Sequence, residues 1–158
     1  LQSSYLRYFI ADLAAMEGLP DRTVLSKSKC LSADVNAAYD PTFSTPFEAN
    51  NASYLNKGIV VTKYTGARGK SDTSDASAEF VAEVTRIFDE GNAVWQLGEL
   101  GAVDAGGGGT VAKYIANMDV DVVDVGVPVL SMHSPFEVIS KLDIYMAHKA
   151  FTAFFQAK

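Results

Sequence analysis

The sequence predicts an α/β domain built on a largely parallel central sheet. Three observations carry this. Apolar residues recur at helical spacing in several separate stretches, short β-branched runs lie between them, and the two kinds of segment alternate along the chain. The predicted order is helix, strand, strand, helix, strand, helix, strand, helix.

Leu6, Phe9, Ile10, Leu13 and Met16 share one helical face over residues 1–18, and Gly18 followed by Pro20 ends that helix. Residues 29–34 read as a short strand closing on Asp34. Residues 35–56, rich in Asn, Ala, Ser, Thr and Pro, form a long loop, and a loop of that length is usually functional. Residues 58–65 are a strand dense in β-branched side chains, and a polar loop with Arg68 and Lys70 follows. Phe80, Val84, Ile87 and Phe88 mark the next helix, closed by Gly91. Residues 94–97 are a strand. After a glycine run, a helix spans residues 110–117 and the last strand residues 120–130. Ser134 and Glu137 have capping-box spacing and Pro135 suits a first helical position, so the final helix is expected to start directly after His133. Val138, Leu142, Tyr145, Met146, Phe154 and Phe155 belong to it.

The chain has 158 residues, 48% hydrophobic and 11% aromatic, enough to bury a core. No repeat or linker divides it. Its net charge of −6 and pI near 4.8 disfavour nucleic acid as a partner, because phosphate binding needs a basic face. Cys30 is the single cysteine, which rules out an internal disulfide and suits a reducing, cytoplasmic compartment. No apolar run approaches the ~20 residues of a membrane span, and the start lacks the pattern of a signal peptide. The chain opens Leu-Gln-Ser-Ser, not with Met, and enters helical periodicity with no strand for that helix to pack on. The later part of a longer protein is expected.

Asp34 and His133 are the leading site candidates. Each stands at a predicted strand end, and strand ends of one sheet converge on the edge where α/β folds bind ligands and metals. A carboxylate can ligate a divalent cation, and a neutral imidazole can ligate a metal or carry a proton. Alone, Asp34 reads as a turn residue and His133 as a hydrogen-bonded edge histidine. Together they read as two metal ligands, short of the roughly three protein ligands of a catalytic zinc.

The run Gly106, Gly107, Gly108, Gly109 and Thr110 precedes a helix, where backbone N–H groups and the helix start favour an anion. No Lys-Ser or Lys-Thr pair follows it, so it is not a nucleotide P-loop. Its plain alternative is a flexible connector. Lys63, with Arg68 and Lys70 beyond it, can bind a carboxylate or carbonyl, the alternative being a solvated loop. Cys30 reads as a small apolar residue, His148 as structural, and Glu99 as a weaker carboxylate candidate.

Ser32-Ala33-Asp34-Val35-Asn36-Ala37-Ala38, then Gly58-Ile59-Val60, Lys63, the glycines before Thr110, and Leu130-Ser131-Met132-His133-Ser134 with Glu137 occur in this order in one family. The chain resembles the C-terminal part of the catalytic domain of the aspartyl aminopeptidase and vacuolar-type aminopeptidase I family, which are dinuclear zinc aminopeptidases. The resemblance covers nearly all of residues 1–158. It implies a three-layer, zinc-exopeptidase-like α/β sheet with helices on both faces, of which this is the C-terminal portion. It implies Asp34 as the carboxylate ligand of one metal and His133 as the histidine ligand of the other. A bridging aspartate, a second histidine and a Glu-Glu pair, supplying the general base and a further ligand, are implied upstream of Leu1, so no catalytic base is expected here. Aspartyl aminopeptidases tend to carry histidines in the loop after the ligating aspartate. This sequence has Ala37 and Asp40 there, with Pro41 kept, which is closer to the bacterial aminopeptidase I branch.

The implied chemistry is metal-assisted hydrolysis of an N-terminal peptide bond. Zinc is the implied metal, two ions per site, with cobalt or manganese as alternatives. Lys63, Gly107, Gly108, Gly109 and Thr110 would line the peptide site. The implied assembly is a homo-oligomer, often a dodecamer, in the cytoplasm or, in a eukaryote, a vacuole or lysosome. Two other readings compete: a non-catalytic anion- or nucleotide-binding module using the glycine loop, and a structural subunit without chemistry.

Overall fold

The computed structural model describes residues 3–66, 73–102 and 106–157. Along them run α1 (Tyr5–Met16), α2 (Asp21–Leu25), β1 (Lys29–Ala37), β2 (Ile59–Thr62), α3 (Ala78–Glu90), β3 (Trp95–Leu97), α4 (Ala112–Ala116), β4 (Asp121–Leu130), β5 (Val138–Ile139) and α5 (Lys141–Gln156). The strands form one sheet in the order β1-β4-β2-β3, and β5 pairs with β4.

β1 and β4 are parallel from Lys29 opposite Asp121 to Ala37 opposite Val129. β2 joins β4 antiparallel, and β3 runs parallel to β2. The sheet is therefore mixed, not largely parallel. Hydrophobic periodicity marks where strands are but says nothing of their direction, and the connection from β1 to β2 is a loop without a crossover helix.

Side chains alternate between the two faces of the sheet. On one face Ile59, Val61, Val123 and Val125 meet Phe80, Val84, Ile87 and Phe88 of α3 and Ala147 and Ala150 of α5. Full burial of each large side chain is worth roughly 1.5–3 kcal/mol, so this layer dominates the stability. On the other face Cys30 and Val122 meet α4 and Leu6 of α1. By the same alternation that face also carries Ser32, Asp34, Asn36, Thr62 and Asp124. Helices on both faces make three layers, as the resemblance implies.

Serines start the two core helices. Ser77 Oγ accepts from the Phe80 N–H at 3.2 Å and Ser140 Oγ from the Leu142 N–H at 3.2 Å. In the first turn of α5, the buried Asp143 carboxylate accepts from the Asn56 and Gly58 N–H groups, both at 2.8 Å, and pins the long loop to the sheet. By contrast α1 buries only Ala14 and leaves Tyr5, Tyr8, Phe9, Leu13 and Met16 exposed.

Two predicted boundaries move. β1 does not stop at Asp34, because Val35, Asn36 and Ala37 continue the pairing with Val127, Pro128 and Val129. The last helix starts at Lys141, not after His133. The chain turns over residues 131–134, with the Ser134 N–H donating to the Ser131 carbonyl at 3.0 Å, and β5 then pairs back on Val129 and Leu130. Glu137 takes the His133 N–H at 2.6 Å, and the Ser134 hydroxyl donates to the Phe136 carbonyl at 2.7 Å. The capping-box spacing serves this turn instead of a helix. α2 and β5 were not predicted.

Candidate metal centre and substrate-facing loop

Because β1 and β4 are parallel neighbours, their C-terminal ends reach the same edge of the sheet. Asp34 lies three residues before the end of β1, opposite Gly126, and its side chain is exposed. A Cβ on Gly126 would stand 2.9 Å from the Val35 backbone, so the glycine keeps β1 close beside Asp34. The Asp34 carboxylate accepts the Val35 N–H at 2.8 Å. His133 is exposed in the turn past β4 with φ +67°, two residues after Ser131 at φ +57°. Left-handed backbone at a non-glycine residue costs on the order of 1–3 kcal/mol and clusters at functional sites. Among the described residues no three His, Cys, Asp or Glu side chains lie together as a metal site.

The glycine run packs against the end of β2. The Gly66 N–H donates to the Gly108 carbonyl at 3.0 Å, and Gly106 N–H to the Ala102 carbonyl at 2.7 Å. Gly107 has φ +97°, and a Cβ there would come within 2.1 Å of the Gly66 carbonyl oxygen. Gly109 is exposed. Thr110 Oγ1 sits 3.3 Å from Thr65 Oγ1 and accepts from the Ala112 N–H at 3.3 Å. The loop is thus shaped by backbone contact. The following helix, α4, has five residues and begins at Ala112, too short to build the anion site that the nucleotide-binding alternative needs. Lys63 stands just past β2 and pairs with Asp75. Arg68, Lys70 and Asp104 lie outside the described residues.

The structure brings Asp34 and Thr110 to one small cavity of about 20 Å³, whose lining also includes Ser32, Thr62, Thr65 and Asp124. His133 and Lys63 are not part of that lining. Beside it runs a buried polar chain: Ser53 Oγ donates to Asn36 Oδ1 at 2.7 Å, Asn36 Nδ2 to Thr62 Oγ1 at 3.1 Å, and Thr62 Oγ1 to the Gly98 carbonyl at 2.8 Å. It ties the loop after β1 and the segment after β3 to the sheet under Asp34.

Asp124 is the residue that sequence reasoning missed. It is 8% exposed, opposite Ser32 on β1 and Thr62 on β2. Burial pushes its carboxyl up from its ordinary value. The hydroxyls of Ser32 and Thr110 oppose this, and the charge of Asp34 adds to it. Ser32 Oγ and Asp124 Oδ1 nevertheless reach no hydrogen-bond partner among the described residues. The available signal was a carboxylate between valines in a buried strand. Cys30 is half-buried in the apolar cluster under α4, and burial, then Asp124, push its thiol up, as expected of a structural residue. Asp40 takes the Thr42 hydroxyl at 2.7 Å and the Thr42 N–H at 2.8 Å, which lowers its pKa.

A family model described as aminopeptidase I zinc metalloprotease (M18) matches residues 1–155. "Probable M18 family aminopeptidase 1" of Clostridium acetobutylicum is 44% identical over 158 residues, covering 98% of this chain and 34% of the relative. The crystal structure of aminopeptidase I from that organism superposes with TM-score 0.90 at 44% identity, over 99% of this chain and 34% of that one. The M18 family aminopeptidase structure from Thermotoga maritima gives 0.85 at 41% identity, over 93% and 34%. The chain spans about a third of the length of these relatives. With a sheet, a layer order and a sequence shared along nearly its whole length, this chain belongs to the aminopeptidase I zinc metalloprotease (M18) family.

Proposed function

We propose that this chain is the C-terminal part of the catalytic domain of a zinc-dependent aminopeptidase that removes N-terminal residues from peptides. The observation that carries this is the family match over residues 1–155. The donor chemistry fits: Asp34 offers an exposed carboxylate oxygen and His133 an exposed imidazole nitrogen, both of which zinc accepts. Each would hold one of two zinc ions, with the other ligands and the general base supplied from elsewhere in the polypeptide. When bound, the ions supply Lewis acidity toward the scissile carbonyl. Gly107, Gly108, Gly109 and Thr110 would border the peptide with backbone groups, and Lys63, steadied by Asp75, would present a cation near its carbonyl or carboxylate end.

The uncovered apolar residues of α1 support burial against more protein, and we assign the intact molecule a homo-oligomeric state in the cytoplasm. Among the described residues no helix is long and apolar enough to cross a membrane.

In the intact protein, Asp34→Ala and His133→Ala each lower the zinc content and cut kcat/KM on aminoacyl anilides. The loss exceeds the roughly 10–100-fold that removal of an outer partner costs. Normal zinc content and turnover in both variants overturns the assignment.

A further inference from the structure

We propose that Ser53, Asn36 and Thr62 are positioning residues for Asp34: their buried hydrogen-bond chain fixes the strand row from which that carboxylate projects. This rests on the reading of Asp34 as a zinc ligand. All three side chains are buried, and Asn36 and Thr62 line the same small cavity as Asp34.

The chain has one direction. The Gly98 carbonyl can only accept, so the Thr62 hydroxyl donates to it at 2.8 Å and must itself accept from Asn36 Nδ2, at 3.1 Å. Asn36 Oδ1 is then left to accept from Ser53 Oγ, at 2.7 Å. β4 lies between β1 and β2 in the sheet. Asn36 stands opposite Pro128 and Thr62 opposite Asp124, so the amide crosses β4 at the level of Gly126. Gly126 has no side chain to obstruct the crossing, and it is the residue opposite Asp34. The link therefore passes through the row that carries Asp34. β1 ends the strand order, and this side-chain link to β2 adds to its backbone pairing with β4. The far end of the chain leads toward the substrate-facing loop, because the segment beyond Gly98 takes the Gly106 N–H on the Ala102 carbonyl. A buried polar network with its members satisfied specifies one geometry, which an apolar filling of the same shape does not. A metal ligand needs that single geometry, since affinity depends on where the donor atom is held.

The test uses the intact protein. Zinc affinity is measured by competition with a chromogenic chelator, and stability by thermal unfolding of the metal-free protein. Thr62→Val keeps the shape and breaks the link, and it weakens zinc binding by about tenfold or more. Thr62→Ser loses a buried methyl and lowers Tm, but it keeps the hydroxyl and with it the parental zinc affinity. Val84→Ala, in the core on the opposite face of the sheet, lowers Tm and leaves zinc affinity unchanged. Parental zinc affinity in Thr62→Val, or an equal loss in Thr62→Ser or Val84→Ala, overturns the proposal. Asp34→Ala separates the two readings. If it weakens zinc binding while Thr62→Val does not, the chain is structural only. If Asp34→Ala leaves zinc binding unchanged, the ligand assignment fails and this proposal with it. Should Thr62→Val fail to fold, Ser53→Ala, which removes only the first donor, is read in the same way.

Discussion

Asp143 ties the start of α5 to the loop that leads into β2. It is 1% exposed, and its two oxygens take the Gly58 and Asn56 N–H groups at 2.8 Å. Asp143→Ala strands two backbone donors, one of them fully buried, and should cost on the order of 3 kcal/mol, read as a lowered urea midpoint. Nothing in the sequence marks it, since an acidic residue in a first helical turn reads as an ordinary dipole partner. Asp124 was equally hard to interpret. Its strand was clear, but only the pairing with β1 and β2 shows that it is buried. Cys30 gives a pH-dependent readout. Its raised pKa lowers the thiolate fraction at any given pH, so iodoacetamide should modify it more slowly than a free cysteine at pH 8, the rate recovering only at higher pH. A rate equal to that of free cysteine would show the thiol to be solvated.

Elements show where local signals mislead. The glycine run looked uniform in sequence, yet its members differ. Gly107 needs φ +97° and has a carbonyl oxygen where a Cβ would go, whereas a Cβ on Gly108 would meet only the flexible end of Leu100 at 3.3 Å. Gly107→Ala should break the contact with Gly66, lower Tm and impair turnover with zinc content unchanged, while Gly108→Ala keeps both. Comparable kinetics for the two variants would make the loop a mere connector. The turn after β4 is the second case. Ser134, Pro135 and Glu137 carry a helix-start signature, but Glu137 bonds the His133 N–H and β5 pairs with β4 before α5 begins. A pairing partner ten residues away outweighs a local cap. At the true start of α5, Ser140→Ala should cost about 1 kcal/mol.

For the molecule as a whole, α1 presents Tyr5, Tyr8, Leu13 and Met16 to solvent, and the family relatives are about three times longer. The isolated chain of residues 1–158 should therefore bind zinc weakly and fail to hydrolyse aminoacyl anilides that the intact protein turns over. Robust zinc-dependent turnover by the isolated chain would contradict this. The sequence alone determined the α/β class, the positions of the main helices and strands, the neutral role of Cys30 and the family, because these follow from periodicity, burial preference and motifs a few residues long. The tertiary structure decided strand direction, the extension of β1 past Asp34, the burial of Asp124 and the fit of Gly107 against Gly66. Each of these depends on which distant backbone lies alongside, and a residue's neighbours in sequence carry no record of its neighbours across a sheet.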